Sequence, residues 1–330
     1  MNYLGQTQWP VAINTYFQKG KPFFFIISFD RKKAIVLEVD DCDQYGILFD
    51  FKNITNHVPG EKSSSSTSTN SLTIEQVPQS DYKNAFDEVM EHIRFGNTYL
   101  INLCHQSKIS LPYSLKEIFS RAKAPYKLLM GQQFVVFSPE PFIEIKDGWI
   151  YTYPMKGTID ANIPKAARKL RNDQKELAEH YTIVDLLRND LGSVCSSVEV
   201  DDFAYIEKFI TQQGPILQMS SKIKGKLRHQ FLQNPGDLLE TILPAGSISG
   251  APKEKTLEII DEVEKFDRGF YTGIMGYSDG TSFETAVMIR FIEKDKNGSY
   301  WYKSGGGITH LSKWKKEFDE LNRKIYLPFL

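Results

Sequence analysis

Strand-like apolar runs and helical patterns follow one another along this chain in blocks rather than in alternation, and that order restricts the possible folds more than any single motif does. Three strand-like stretches open it: PFFFIISFD (22–30), AIVLEVD (34–40) and YGILFDF (45–51). In DYKNAFDEVMEHIRFG (81–96), Tyr82, Phe86, Val89 and Ile93 recur at intervals of four, three and four, which predicts a helix closed by Gly96. Strands resume in TYLINLCHQSKISL (98–111), QFVVFS (133–138), FIEI (142–145) and WIYTYPM (149–155). Regular βα alternation would specify a doubly wound parallel sheet; this mixed order predicts α+β.

Further along, Pro164 opens a predicted long helix that runs to Gly192. GSISG (246–250) predicts a glycine-bearing loop feeding a helix over 252–265, and DKNG (295–298) predicts a hairpin between SFETAVMIRFIEK and SYWYKSG. A last helix is expected over 312–326, with Ser312 as its cap. KSSSSTSTNS (62–71) is polar, without an apolar anchor, and predicts a mobile loop.

With 41% hydrophobic and 25% charged residues in 330, the chain has the balance of an ordinary globular protein. Lys and Arg total 40 against 41 for Asp and Glu, which argues against nucleic acid or an anionic membrane as partner and for small molecules or another protein. Cys42, Cys104 and Cys195 lie far apart, and an odd count suits a reducing compartment. No apolar stretch approaches the roughly 18 residues of a membrane span, and the N-terminus lacks a leader pattern, so the expected location is cytoplasmic. The sequons at Asn53 and Asn297 are then accidents of composition.

Chemistry is concentrated in a few places. Glu176 and Glu179 share one side of the long helix, close to Ile183 and Leu187, so that side is not fully wet. Glu317 and Glu320 flank the apolar stripe of the last helix, where Lys324 can pair with Glu320. Such carboxylates either form solvated faces or meet around a hard divalent cation, for which Mg²⁺ is the best candidate. Gly305, Gly306 and Gly307 form either a bulge or turn, or a backbone nest for an anion. Ser247 precedes a helix start at Pro252-Lys253 that favours a carboxylate or phosphate. Arg290, in the apolar run AVMIRFI, needs an acidic partner or a bound anion. Lys156, in YTYPMKGTID, either snorkels outward or is desolvated and becomes a nucleophile. Together the pieces suggest a site for a small dianion, a metal and a reactive amine.

PMKGT (154–158), KELAEHYTIVDLLRNDLG (175–192), PAGSISGAPK (244–253), SGGGI (304–308) and EFDE (317–320) with Lys324 resemble the motifs of the chorismate-utilising enzymes typified by anthranilate synthase component I, in the same order. The resemblance runs from about Tyr82 to the C-terminus. It implies a single α+β unit over 1–330, two large sheets packed as a sandwich with helices outside, a catalytic core at 79–330 and a shortened strand-rich part at 1–72. Within that family, alanine in P-I-A-G-T marks anthranilate and salicylate or isochorismate enzymes, whereas lysine marks aminodeoxychorismate synthase component I.

Lys156 is therefore expected to attack C2 of chorismate before ammonia adds at C4, giving 4-amino-4-deoxychorismate for p-aminobenzoate and folate. The resemblance further implies Glu140 as general acid/base, and Glu179 and Glu320 as Mg²⁺ ligands helped by Glu176 and Glu317. Tyr277, Arg290 and the Gly305–Gly307 backbone are implied to hold the enolpyruvyl carboxylate, and Thr158 and Ser247 the ring carboxylate, with Lys253 at the helix start or on substrate. Three departures stand out: Met155 for isoleucine, Ala245 for glycine and Gln218 for a histidine that many members carry. No cysteine has the G-x-C-x-G setting of a glutamine amidotransferase, which implies a separate glutaminase subunit as the source of ammonia. The rivals are another chorismate enzyme, making anthranilate or isochorismate, and a non-catalytic binding subunit.

Overall fold

The computed structural model describes residues 2–52, 54–57, 72–211 and 214–329. The serine-rich run at 62–71 and the sequon at Asn53 lie outside the described residues.

The described strands form two nine-stranded sheets. The first contains β1 (Phe23–Ile27), β2 (Ala34–Glu38), β9 (Pro141–Lys146), β10 (Trp149–Thr152), β11 (Met155–Asp160), β12 (Cys195–Thr211), β13 (Gly214–Leu227), β15 (Ile274–Ser278) and β16 (Phe283–Val287). The second contains β3 (Ile47–Phe51), β4 (Ile54–Thr55), β5 (Thr73–Glu75), β6 (Leu100–Ser110), β7 (Tyr126–Met130), β8 (Phe134–Ser138), β14 (Gly250–Ala251), β17 (Phe291–Lys294) and β18 (Tyr300–Ile308). Their pairings are antiparallel.

The sheets pack face to face, and the run FFFII shows why it is apolar without interruption. Phe23, Phe25 and Ile27 point to a core shared with helices, while Phe24 and Ile26 point to the core between the sheets, where Phe24 stacks on Phe49 at 4.9 Å. A strand buried on both faces cannot alternate apolar with polar. Helices α1 (Trp9–Gln18), α5 (Gln174–Val194) and α6 (Pro235–Ile242) cover the first sheet. Helices α2 (Gln79–Arg94), α3 (Leu115–Arg121), α7 (Lys253–Val263) and α8 (Trp314–Arg323) cover the second. The α+β sandwich with outer helices is thus the observed architecture.

Several boundaries differ from expectation. The helix predicted from Pro164 to Gly192 is two helices, α4 (Ala166–Arg171) and α5, and Asp173 takes the N–H of Glu176 where α5 begins. Helix α8 starts after Lys313 without a side-chain cap; Ser312 instead accepts from the N–H of Thr309. The run SFETAVMIRFIEK is not one strand. It leaves the first sheet at Val287 and enters the second at Phe291, and the change of direction is made at Arg290, whose φ is 55°. That left-handed backbone is costly for a side-chain-bearing residue and marks a position held by its surroundings. The hairpin after it forms as expected, with Phe291 opposite Lys303.

Candidate active site

The glycines of SGGGI lie neither in a turn nor in a bulge. They sit within β18, in register with β6: Gly305 faces Cys104, Gly306 faces Leu103 and Gly307 faces Asn102. On the other edge of β18, β17 pairs only from Phe291↔Lys303 onward, because the chain turns away at Arg290. The strand beyond Lys303 therefore has an open edge. Lys324 Nζ donates to Gly305 O there at 2.8 Å. The N–H and C=O of one strand residue point the same way, so the N–H groups of Gly305 and of Gly307, two residues on, are directed to this edge. Gly305 also has a steric reason to be glycine: a Cβ would stand 2.5 Å from Cys104 Sγ.

Arg290 lies at this edge. Its guanidinium stands over the Tyr326 ring at 5.6 Å, its Nε is buried without a hydrogen-bond partner, and it forms no ion pair among the described residues. The Tyr326 side chain gives it a hydrogen-bond partner, but no carboxylate among the described residues pairs with its charge, which leaves it suited to an anion.

Lys156 approaches from the other sheet. It lies on β11 opposite Met219, beside a register shift that separates it from Thr158. Gly157 makes that shift at φ 76°, and a Cβ there would stand 3.0 Å from Glu176 Oε2 and 3.2 Å from Leu170 Cδ1, so both the backbone and the space require glycine. Lys156 Nζ lies 3.6 Å from where a Cβ on Gly307 would be. A cavity of about 70 Å³ adjoins it, lined among others by Glu140, Thr152, Met155, Ile183, Leu187 and Ser247. This is less than the ~300 Å³ of a typical ligand pocket, and neither Arg290 nor Gly305–Gly307 lines it.

Ser247, on the single turn Gly246–Ile248, donates to Glu140 Oε1 at 3.0 Å. Burial raises the pKa of Glu140 above the ordinary carboxylate value; the Ser247 hydrogen bond and the charges of Lys156, Arg290 and Lys324 oppose that rise without cancelling it. A carboxyl so placed is suited to carry a proton. Lys324 pairs with Glu320 at 2.8 Å, and burial lowers its pKa against that pairing, helped by the charges of Arg290 and Lys156.

Two of the four expected carboxylates have a glycine of the site strands as neighbour. Glu176 of α5 lies beside Gly157, and Glu320 of α8 lies 3.8 Å from a Cβ position on Gly306. Glu176 and Glu179 are half-buried, Glu317 is buried and Glu320 is exposed. Oxygen donors of this kind fit a hard cation such as Mg²⁺. Among the described residues, no three of His, Cys, Asp or Glu stand together closely enough to hold a metal as they are. The donors fit in kind; their present spacing does not form a closed ligand set.

Other expected residues stand elsewhere. Lys253 is tied to Asp190 at 2.9 Å and to Ile242 O at 2.6 Å, and Asp190 also accepts from the N–H of Gly246, so this lysine braces the Ser247 turn. Tyr277 packs against Phe49 in the core between the sheets, the opposite side of the first sheet from Ile183 and Leu187. Thr158 is exposed and faces Gln218 in register. Two residues had no signal in spacing. Tyr271 is buried, donates to the Cys104 thiol and lies within electrostatic reach of Arg290. His180 is fully buried and contacts Ser221 Oγ at 2.7 Å; burial, with a smaller effect from Lys156, pushes its pKa down to about 4.

A Haemophilus influenzae protein described as an uncharacterized PabA-like protein is 46% identical over 315 residues, spanning 96% of this chain and 94% of that one. Aminodeoxychorismate synthase component 1 of Salmonella typhimurium is 32% identical over 265 residues, 74% of this chain and 57% of that one. In three dimensions the menaquinone-specific isochorismate synthase MenF of Escherichia coli superposes with a TM-score of 0.73 over 98% of this chain and 82% of its own, at 14% identity, a likeness of fold alone. The model of the chorismate binding enzymes matches residues 15–328, and the chain belongs to that family.

Proposed function

We propose that this chorismate-utilising enzyme makes 4-amino-4-deoxychorismate from chorismate and ammonia, with Lys156 as a covalent nucleophile. The observation that carries the reading is Lys156, whose amine faces the open glycine edge at Gly307 while its side chain lines one small cavity with a Ser247-held carboxyl. The Salmonella relative, whose name states this reaction, supports it.

In this reading Arg290 and the N–H groups of Gly305 and Gly307 hold one carboxylate of the substrate, and Ser247 holds the other; the buried Nε of Arg290 and the open edge at the glycines support the first part. The Lys156 amine forms a bond to C2, both ring double bonds shift (C1=C2 to C6=C1 and C5=C6 to C4=C5), and the C4–O bond breaks as Glu140 delivers a proton, so that water leaves. Ammonia then bonds to C4, both double bonds shift back to C5=C6 and C1=C2, and the C2–N bond breaks to free the amine. Two displacements with a positioned acid replace one difficult substitution. Glu176, Glu179, Glu317 and Glu320 are the candidate holders of Mg²⁺, which when bound neutralises substrate carboxylate charge.

Cys42, Cys104 and Cys195 are all buried, and burial pushes the first two thiols up to about 12 and the third to about 11. Thiols so held do not act as nucleophiles. Ammonia is therefore assigned to a separate glutaminase partner. No helix among the described residues is long and apolar enough to cross a membrane.

The test is product identity after incubation with chorismate, Mg²⁺ and ammonium, read by mass spectrometry. Aminodeoxychorismate supports the proposal. Anthranilate or isochorismate overturns it in favour of another chorismate enzyme, and binding without turnover in favour of a non-catalytic subunit.

A further inference from the structure

Behind the cavity, and not lining it, Arg268 and Glu264 form an ion pair whose side chains are 3% and 2% exposed. Arg268 Nε donates to Glu264 Oε2 at 2.7 Å and Nη2 donates to Oε1 at 2.6 Å. The remaining bonds of the pair reach three separate segments. Nη2 donates to Asn102 O at 2.6 Å, and Glu264 Oε1 accepts from the N–H of Cys104 at 2.8 Å; these are the β6 residues opposite Gly307 and Gly305. Nη1 donates to Ile248 O at 2.9 Å, next to Ser247. Nη1 also reaches Thr272 Oγ1 at 3.3 Å. Thr272 is left-handed, with φ 60°, and its N–H donates to Met288 O, two residues before Arg290.

We propose that Arg268 and Glu264 are positioning residues that fix the spacing between the glycine edge, the Ser247–Glu140 pair and the Arg290 bend. The inference rests on the assignment of that cavity to chorismate. One planar guanidinium with a rigid fork of donors spans carbonyls on two chain segments and a carboxylate at once, which a lysine cannot do. A pair serving stability alone has no need to bond to each of the three segments that carry the site.

The experiment compares the parent enzyme with Arg268→Lys, and with the double variant Glu264→Leu/Arg268→Met, which replaces a buried ion pair by apolar side chains that such sites often tolerate. Melting temperature, chorismate kinetics and amide hydrogen exchange are measured well below the melting point. In each variant that folds, kcat/KM is expected to fall by about tenfold or more. Exchange should quicken together at 100–104, 245–249 and 304–308, and not in β1 or β2. Kinetic constants within about twofold of the parent, or exchange that is unchanged or raised evenly throughout, overturn the proposal. Exchange needs no substrate: a parent that fails to turn over chorismate sinks the functional assignment, while the exchange pattern still decides whether the pair positions these segments.

Discussion

Lys156 and Gly307, on opposite sheets, face each other, with the lysine nitrogen 3.6 Å from the point a Cβ on Gly307 would occupy. The gap exists because Gly307 carries no side chain. Gly307→Ala meets its neighbours no closer than 3.4 Å and its φ is not positive, so stability should change by less than about 1 kcal/mol. The methyl group nevertheless fills substrate space, and kcat/KM should drop about tenfold or more. Gly305→Ala, which collides with Cys104 Sγ, should instead destabilise the fold by about 1–3 kcal/mol. Thermal melts beside chorismate kinetics separate the two; a fully active Gly307→Ala would place the substrate elsewhere.

Lys156→Ala should slow aminodeoxychorismate formation by about 100-fold or more while chorismate still binds. The parent should yield a chorismate-derived adduct on Lys156 when quenched during turnover. Peptide mapping and titration calorimetry check both halves, and an alanine variant with full synthesis would remove the covalent step.

The raised pKa of Glu140 gives a pH signature of known sign. As an acid it works protonated, so kcat/KM for chorismate should fall as pH rises through its folded value. For stability, Glu140 contributes most below its ordinary 4.5 and loses that contribution as pH rises through the raised value. Ser247→Ala removes a hydrogen bond that favours the ionised form and should move the alkaline limb to higher pH. Profiles taken at constant neutral ammonia test this; a limb moving to lower pH would mean that Ser247 acts in another way.

Chelation by EDTA should stop turnover and added Mg²⁺ restore it. Glu179→Gln and Glu320→Gln should each raise the Mg²⁺ concentration needed for half-maximal rate, because a lost ligand charge weakens the hold on a hard cation. Undiminished activity in EDTA would return these carboxylates to a solvated role.

The pure chain should use ammonium, best at a pH that supplies neutral NH₃, and should not use glutamine. An added glutaminase subunit should confer glutamine dependence. Sustained synthesis from glutamine by the chain alone would reveal a nucleophile that the three buried thiols do not provide.

The sequence by itself determined the class of fold and the family. Unbroken apolar runs such as FFFII require strands buried on both faces, and the motifs holding Glu176, Glu179, Lys156 and Gly305–Gly307 carry the family resemblance, while spacing alone left the roles of these residues open. Tertiary structure decided what local spacing cannot encode. AVMIRFI reads as one strand until the left-handed backbone at Arg290 sends its halves into different sheets, and that departure opens the edge of β18 along which the glycines lie. The contacts of Lys253 with Asp190 and of Tyr277 with Phe49 come from distant segments and could not be read from local spacing. Tyr271 and the Arg268–Glu264 pair had no motif to announce them, since their roles come from what surrounds them after the sheets close. A side chain's chemistry is fixed by its type; whether it faces substrate, solvent or another side chain depends on long-range packing, which sequence spacing does not carry.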